Sequence, residues 1–115
     1  MSLDYQLVKN WPIGKSEQRY TRKDTMLYAL GVGAAMANPL APEDLKFVFE
    51  RRLQALPTFA ALLAGNADWM SDPQVGIELD MVLHGEQFLT MHQVLPVSGA
   101  VVAVGLTGVG IIRLV

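Results

Sequence analysis

The chain contains no cysteine, which excludes a disulfide scaffold, a thiolate metal site and a cysteine nucleophile. The same absence fits a reducing compartment, and the cytoplasm is the expected location. Positive charge is not in excess either: nine Lys and Arg stand against eleven Asp and Glu, for a formal net charge of -2. A basic face able to displace counterions from phosphates is therefore missing, and nucleic acid is not an expected partner. The first eleven residues lack the basic start and apolar run of a signal peptide, so a secretory leader is not expected. The two histidines, His84 and His92, have no clustered carboxylates around them, and no metal site is expected.

Charge of either sign is absent from residues 87–112. Residues 94–115 are long and apolar enough to raise a membrane helix as one reading. Their Val and Ile content, interrupted by Pro96, Gly99, Gly105, Gly108 and Gly110, favours strands instead, and membrane association is not expected. Arg113 is the last charge before Val115, so the tail reads as a strand cut short.

What is present is the composition of a globular protein: 115 residues, 51% hydrophobic and 17% charged. One domain over residues 1–115 is expected, without repeats or linkers, burying roughly two-thirds of its unfolded surface. Trp11-Pro12-Ile13-Gly14 has turn chemistry. Thr21 caps a helix over residues 22–30, with Asp24 in place of the Glu or Gln of a full capping box; Met26, Leu27 and Leu30 give it an apolar side and Gly31-Val32-Gly33 ends it. After the turn residues Asn38-Pro39 and Ala41-Pro42, Leu45, Phe47 and Phe49 alternate with Lys46, Val48 and Glu50, which predicts a short strand or extended arm.

Pro57 opens a run, Thr58-Phe59-Ala60-Ala61-Leu62-Leu63-Ala64, closed by Gly65; this predicts a helix that is apolar nearly all round and therefore buried. Residues 66–75 read as loop, with Trp69-Met70 as a flap on the body. An apolar stretch over residues 77–83 is followed by a corner at Leu83-His84-Gly85 and a long strand over residues 86–94. A hairpin across Pro96-Val97-Ser98-Gly99 to a strand from Val101 onward completes the expectation. Helical segments first and strands later point to an α+β domain, a sheet on a buried helix.

Five segments, taken in order, carry a resemblance: Tyr20-Thr21; Tyr28-Ala29-Leu30-Gly31-Val32-Gly33; Asp44-Leu45-Lys46-Phe47-Val48-Phe49-Glu50; Leu56-Pro57-Thr58-Phe59; and Leu83-His84-Gly85-Glu86-Gln87-Phe88-Leu89. From residue 20 to residue 96 the chain resembles the N-terminal half of the MaoC-like dehydratases, the type 2 enoyl-CoA hydratases, including the hydratase region of peroxisomal multifunctional β-oxidation enzymes. The resemblance implies a hot-dog fold, an antiparallel sheet wrapped around a central helix, here a single and incomplete unit with residues 57–64 as that helix. In that family the catalytic motif, approximately Gly-Asp-x-Asn-Pro-x-His, lies in the other half, and this sequence has none. Gly65-Asn66-Ala67-Asp68 and Ser71-Asp72-Pro73 lack the downstream His and are read as turns. The last strands of the half are expected to be missing or divergent after Ser98.

The resemblance thus implies a half-enzyme for reversible hydration of trans-2-enoyl-CoA, with an acyl-CoA thioester as substrate, no cofactor, and no catalytic residue in this chain. Phe59, Leu62, Leu63, Trp69 and Met70 are candidates for an apolar acyl tunnel, although core packing is the stronger reading for each of them except Trp69. His84 and Glu86 would share a face of a strand. They are read either as an acid/base pair or as a corner whose imidazole satisfies backbone groups while Glu86 and Gln87 tie the loop down, and His84, Gly85 and Glu86 are counted with the tunnel residues as substrate-binding candidates. Lys46, Arg51 and Arg52 are candidates for CoA phosphates or a solvated basic edge. His92 is expected at a surface or edge. Gly105-Leu106-Thr107-Gly108-Val109-Gly110 has the composition of a phosphate loop but not its spacing. The expected partners are a catalytic MaoC-like half or a second copy of the chain as a homo-oligomer. The alternative function is a non-catalytic hot-dog module for acyl-CoA binding or dimerisation.

Overall fold

An antiparallel sheet ties the beginning of the chain to its end. The computed structural model describes residues 3–63, 67–106 and 109–114. Its elements are α1 (Tyr5–Lys9), β1 (Pro12–Tyr20), α2 (Arg22–Gly31), α3 (Pro42–Val48), α4 (Phe59–Leu63), two 3-10 turns (Asp68–Ser71 and Leu79–Met81), β2 (Gly99–Leu106) and β3 (Val109–Leu114). The sheet order is β1-β2-β3, with both pairings antiparallel. The architecture is α+β, as expected, although the order differs: β1 precedes α2, α3 and α4 instead of following them.

Side-chain alternation divides the sheet into two faces. Gln18, Val101 and Leu114 pair across one row and Ser16, Ala103 and Ile112 across the next, on the same side as Tyr20. Glu17, Val102 and Arg113 occupy the other side. The first face meets α4: Tyr20, Ala55, Phe59, Ala60, Leu63, Leu95 and Val101 form the buried cluster, with Tyr28, Ile112 and Leu114 packed against it. Lys15, Glu17 and Arg19 lie on β1, an outer strand, where charge discourages further pairing.

The cap of α2 is stronger than its sequence suggests. Asp24 replaces Glu or Gln, yet its carboxylate accepts from the Thr21 backbone N–H at 2.8 Å while Thr21 Oγ1 accepts from the Asp24 N–H at 3.2 Å, a complete capping box. These bonds to the Thr21 backbone and hydroxyl hold the Asp24 carboxyl below its ordinary 3.8. A folded value below the unfolded one means that the contribution is present above that ordinary value and disappears as pH falls through the depressed one. Thr21→Ala removes the acceptor and is expected to cost about 0.5–2 kcal/mol, read as a lower urea midpoint; no change in midpoint would show that the box adds nothing. Gly33, with φ +95°, takes the left-handed turn that ends the helix where the glycines predict it.

Several expectations are corrected. The turn expected at residues 11–14 is the start of β1, with a register shift between Pro12 and Gly14, and Gly14 has φ +83°; the polar run behind it hides the strand. The strand expected at residues 45–50 is the helix α3, because Pro42 in the first turn, Glu43 and Asp44 beside it and Lys46 near the end suit a helix. Of the apolar side expected for α2, Leu27 and Leu30 are exposed and only Met26 is half-buried, while the small Thr25 and Ala29 are buried. Those small side chains let the helix approach closely enough for the Thr25 hydroxyl to donate to the Val97 carbonyl at 2.8 Å.

Within α4, Phe59, Ala60 and Leu63 are buried but Leu62 is 58% exposed, so the helix is covered on one side only. Ala64 and Gly65, its expected end, lie outside the described residues. The strand expected at residues 86–94 is coil, and the expected hairpin across Pro96 does not form; β2 pairs with β1 and β3 instead. The Gly- and Val-rich tail does form strands. Among the described residues no helix is long and apolar enough to cross a membrane.

The molecule is not closed on itself. Its radius of gyration is 16.8 Å and its extents are 52 × 31 × 20 Å, against a radius of about 13 Å for a compact chain of this length. A monomer of its mass exposes about 6,200 Å² by surface–mass scaling, whereas this chain exposes 8599 Å², an excess of about 2,400 Å² over that scaling.

Candidate functional site

Phe59 is the centre of the one face that is built. Its ring stacks on Tyr28, centroids 4.9 Å apart and interplanar angle 25°, and meets Tyr20 edge-on at 5.6 Å and 87°. Both geometries suit the ring quadrupoles. The Tyr28 hydroxyl and Thr58 Oγ1 lie 2.9 Å apart, tying α2 to the start of α4. Tyr20 donates its hydroxyl to the Pro96 carbonyl at 2.6 Å, one residue before the carbonyl that Thr25 holds. Two buried hydroxyls from β1 and α2 thus fix the turn that leads into β2. Burial pushes the Tyr20 phenol up from its ordinary 10.0, so it remains a donor at neutral pH.

The sequence candidates divide by exposure. Phe59 and Leu63 are buried in the core cluster, while Leu62, on the same helix, faces outward. Trp69 and Met70 lie together, half-buried, on the Asp68–Ser71 turn. His84, Gly85 and Glu86 are exposed, on coil rather than on a strand. His84 Nε2 lies 2.9 Å from the Glu86 backbone oxygen; a carbonyl only accepts, so the ring nitrogen donates. The imidazole is therefore engaged with the Glu86 main chain, not its carboxylate. His92 is exposed, also on coil.

Lys46 Nζ sits 4.9 Å from the centroid of its neighbour Phe47, a cation–π distance. Arg22 donates to the Glu50 carbonyl at 2.6 Å and Gln54 N–H to Lys46 O at 2.7 Å, folding the exposed Arg51 and Arg52 back beside α3. Among the described residues no three His, Asp or Glu side chains gather as a metal site.

Sequence reasoning missed Tyr20, Thr25 and Tyr28 as site-building residues. Tyr20 and Tyr28 stand in the segments that carry the resemblance. Thr25, one turn beyond the Thr21 cap, gave no signal of its own, since its partner is 72 residues away.

The model of the MFE-2 hydratase 2 N-terminal domain matches residues 18–107. The chain is 40% identical over 86 residues to mouse peroxisomal multifunctional enzyme type 2, covering 70% of this chain and 11% of that protein. It is 33% identical over 94 residues to peroxisomal enoyl-CoA hydratase 2 of Arabidopsis thaliana, covering 75% and 30%. To a probable enoyl-CoA hydratase 2 of Dictyostelium discoideum it is 38% identical over 108 residues, covering 89% and 35%. The chain therefore spans about a third or less of the length of these relatives.

Proposed function

Because the chain belongs to the MFE-2 hydratase 2 N-terminal domain family, we propose that it is the substrate-tunnel and scaffold half of a MaoC-like 2-enoyl-CoA hydratase, working with a catalytic half that it does not contain. The observation that carries this reading is the match over residues 18–107 to hydratases of which the chain is a minor part. The sheet laid against α4 is, on this reading, the beginning of a hot-dog unit with α4 as its central helix, and residues 1–115 are one such half.

Hydration of a trans-2-enoyl-CoA to a 3-hydroxyacyl-CoA needs a base to activate water, an acid to protonate the α-carbon, and donors for the enolate oxygen. The motif Gly-Asp-x-Asn-Pro-x-His is absent from this sequence, and the one His–Glu pairing in it is an exposed main-chain contact. The proposed share of this chain is apolar shape. Leu62, Trp69 and Met70 would offer accessible surface to the acyl tail, Phe59 and Leu63 would support them from within, and Lys46, Arg51 and Arg52 would lie toward the CoA phosphates.

The test is hydration of crotonyl-CoA and of a longer enoyl-CoA, followed by loss of the enoyl absorbance, with this chain alone, with a catalytic half carrying the motif alone, and with the two mixed. Turnover that appears only on mixing is the expected result. Silence in the mixture sinks the half-enzyme reading and leaves the non-catalytic binding module; turnover by the chain alone would place an unrecognised acid and base within it.

A further inference from the structure

Between Val75, 1% exposed, and Leu95, 6% exposed, the chain runs through solvent. Residues 78–94 are all exposed, Leu83 to 91% and Phe88 to 85%. Among the described residues, the hydrogen bonds of this segment join Met81 N–H to the Glu78 carbonyl, Val82 N–H to the Leu79 carbonyl and His84 Nε2 to the Glu86 carbonyl, so none reaches outside it. A stretch without buried contacts or long-range backbone bonds opens at little cost, and such stretches are where proteases enter a folded chain.

The two parts that this segment joins hold each other without it. β2, which follows the segment, pairs with β1, which precedes it, from Pro12 opposite Leu106 to Tyr20 opposite Gly99. Leu95 and Val101 lie in the same buried cluster as Tyr20, Phe59 and Leu63. Just beyond the segment, the Tyr20 and Thr25 hydroxyls donate to the Pro96 and Val97 carbonyls at 2.6 and 2.8 Å. Core, ladder and hydroxyl bonds are therefore made across the segment and not through it.

We infer that residues 78–94 are an endoproteolytic processing site, at which one peptide bond is cut while the domain stays assembled. The step is a hydrolysis: water adds across the bond, leaving a carboxylate on one fragment and an amine on the other, and both new charges stay in solvent. The residues of the segment select the class of protease. Leu83, Phe88, Leu89 and Met91 suit an enzyme that cleaves after aromatic or large aliphatic side chains. A trypsin-like enzyme has no bond to cut here, since no Lys or Arg stands between Arg52 and Arg113. Exposure alone does not make other aromatic positions equivalent. Phe49 is 50% exposed, but its N–H is bonded to the Leu45 carbonyl, and the chain beside it is held by Arg22 on the Glu50 carbonyl and by Gln54 N–H on the Lys46 carbonyl. Tyr28 lies inside the hydrogen-bonded turns of α2. The inference goes beyond the half-enzyme reading and does not depend on it.

Brief digestion of the folded chain with chymotrypsin, with fragments identified by mass spectrometry, is expected to place the first internal cut within residues 78–94. Size exclusion of the nicked chain is expected to return both fragments in one peak at the native mass, with the circular dichroism unchanged. Trypsin is expected to leave the segment whole. A first internal chymotryptic cut at Tyr28, Phe47 or Phe49, resistance of residues 78–94 to the enzyme, or separation of the two fragments on the column overturns the proposal.

Discussion

Phe59→Ala is expected to cost about 3–5 kcal/mol, a large part of the roughly 5–15 kcal/mol that separates folded from unfolded states. The physical reason is that Phe59 is 6% exposed and its ring is the shared partner of Tyr20 and Tyr28. Removing it forfeits the transfer free energy of a buried aromatic and opens a cavity between two rings held elsewhere. Tyr20 is fixed by its bond to Pro96 and Tyr28 by its contact with Thr58, so neither can collapse freely into the space. Phe59→Leu keeps most of the volume and should lose distinctly less. Urea denaturation checks both: a Phe59→Ala midpoint equal to that of Phe59→Leu would show that the aromatic cluster does not hold α4 to the sheet.

Val101→Asp is the second large effect, expected to cost more than about 4 kcal/mol and to leave no cooperative unfolding transition. Val101 is 0% exposed on the central strand, facing α4 between Gln18 and Leu114. A carboxylate there would be buried without a charged partner, and the cost of desolvating it far exceeds what one neighbouring amide returns. Val104→Asp supplies the contrast. It lies on the same strand but on the opposite face and is 50% exposed; its cost should stay near about 0.5 kcal/mol. If the two aspartates destabilise equally, the assignment of the sheet's faces is wrong, since only that assignment separates them.

The parts of the fold legible in the sequence are those whose signal is local. Thr21 and Asp24 announce the start of α2, Gly33 its end, Pro57 and the apolar run after it α4, and the β-branched tail its strands. The legible part of the site was α4 itself, with Phe59 and Leu63 directed to the core. Residues 45–50 misled because three apolar residues in alternation fit a short helix as well, and the deciding signal, Pro42 with two acidic residues behind it, lay upstream. Residues 15–20 carry Lys15, Glu17 and Arg19, too polar for a run with visible alternation, although an outer strand with one solvated face needs little more than Tyr20 to be anchored. Residues 86–94 alternate in sequence as a strand should, yet all of them are exposed; what is missing is a neighbouring strand, which no local pattern supplies.

The sequence by itself determined the family, through five short segments in fixed order, together with the caps, the helix α4 and the exclusion of thiolate chemistry. It also determined the charge-free stretch of residues 87–112. Only the tertiary structure decided which strands pair, which face of α2 is buried, and that Tyr20 and Thr25 fasten consecutive carbonyls far along the chain. The division has a physical cause. Caps, turns and periodicities are settled by residues a few positions apart, whereas strand pairing and burial depend on which distant segment arrives to exclude water. For residues 86–94 none does among the described residues, which is why a strand pattern in the sequence is solvated coil in the folded molecule.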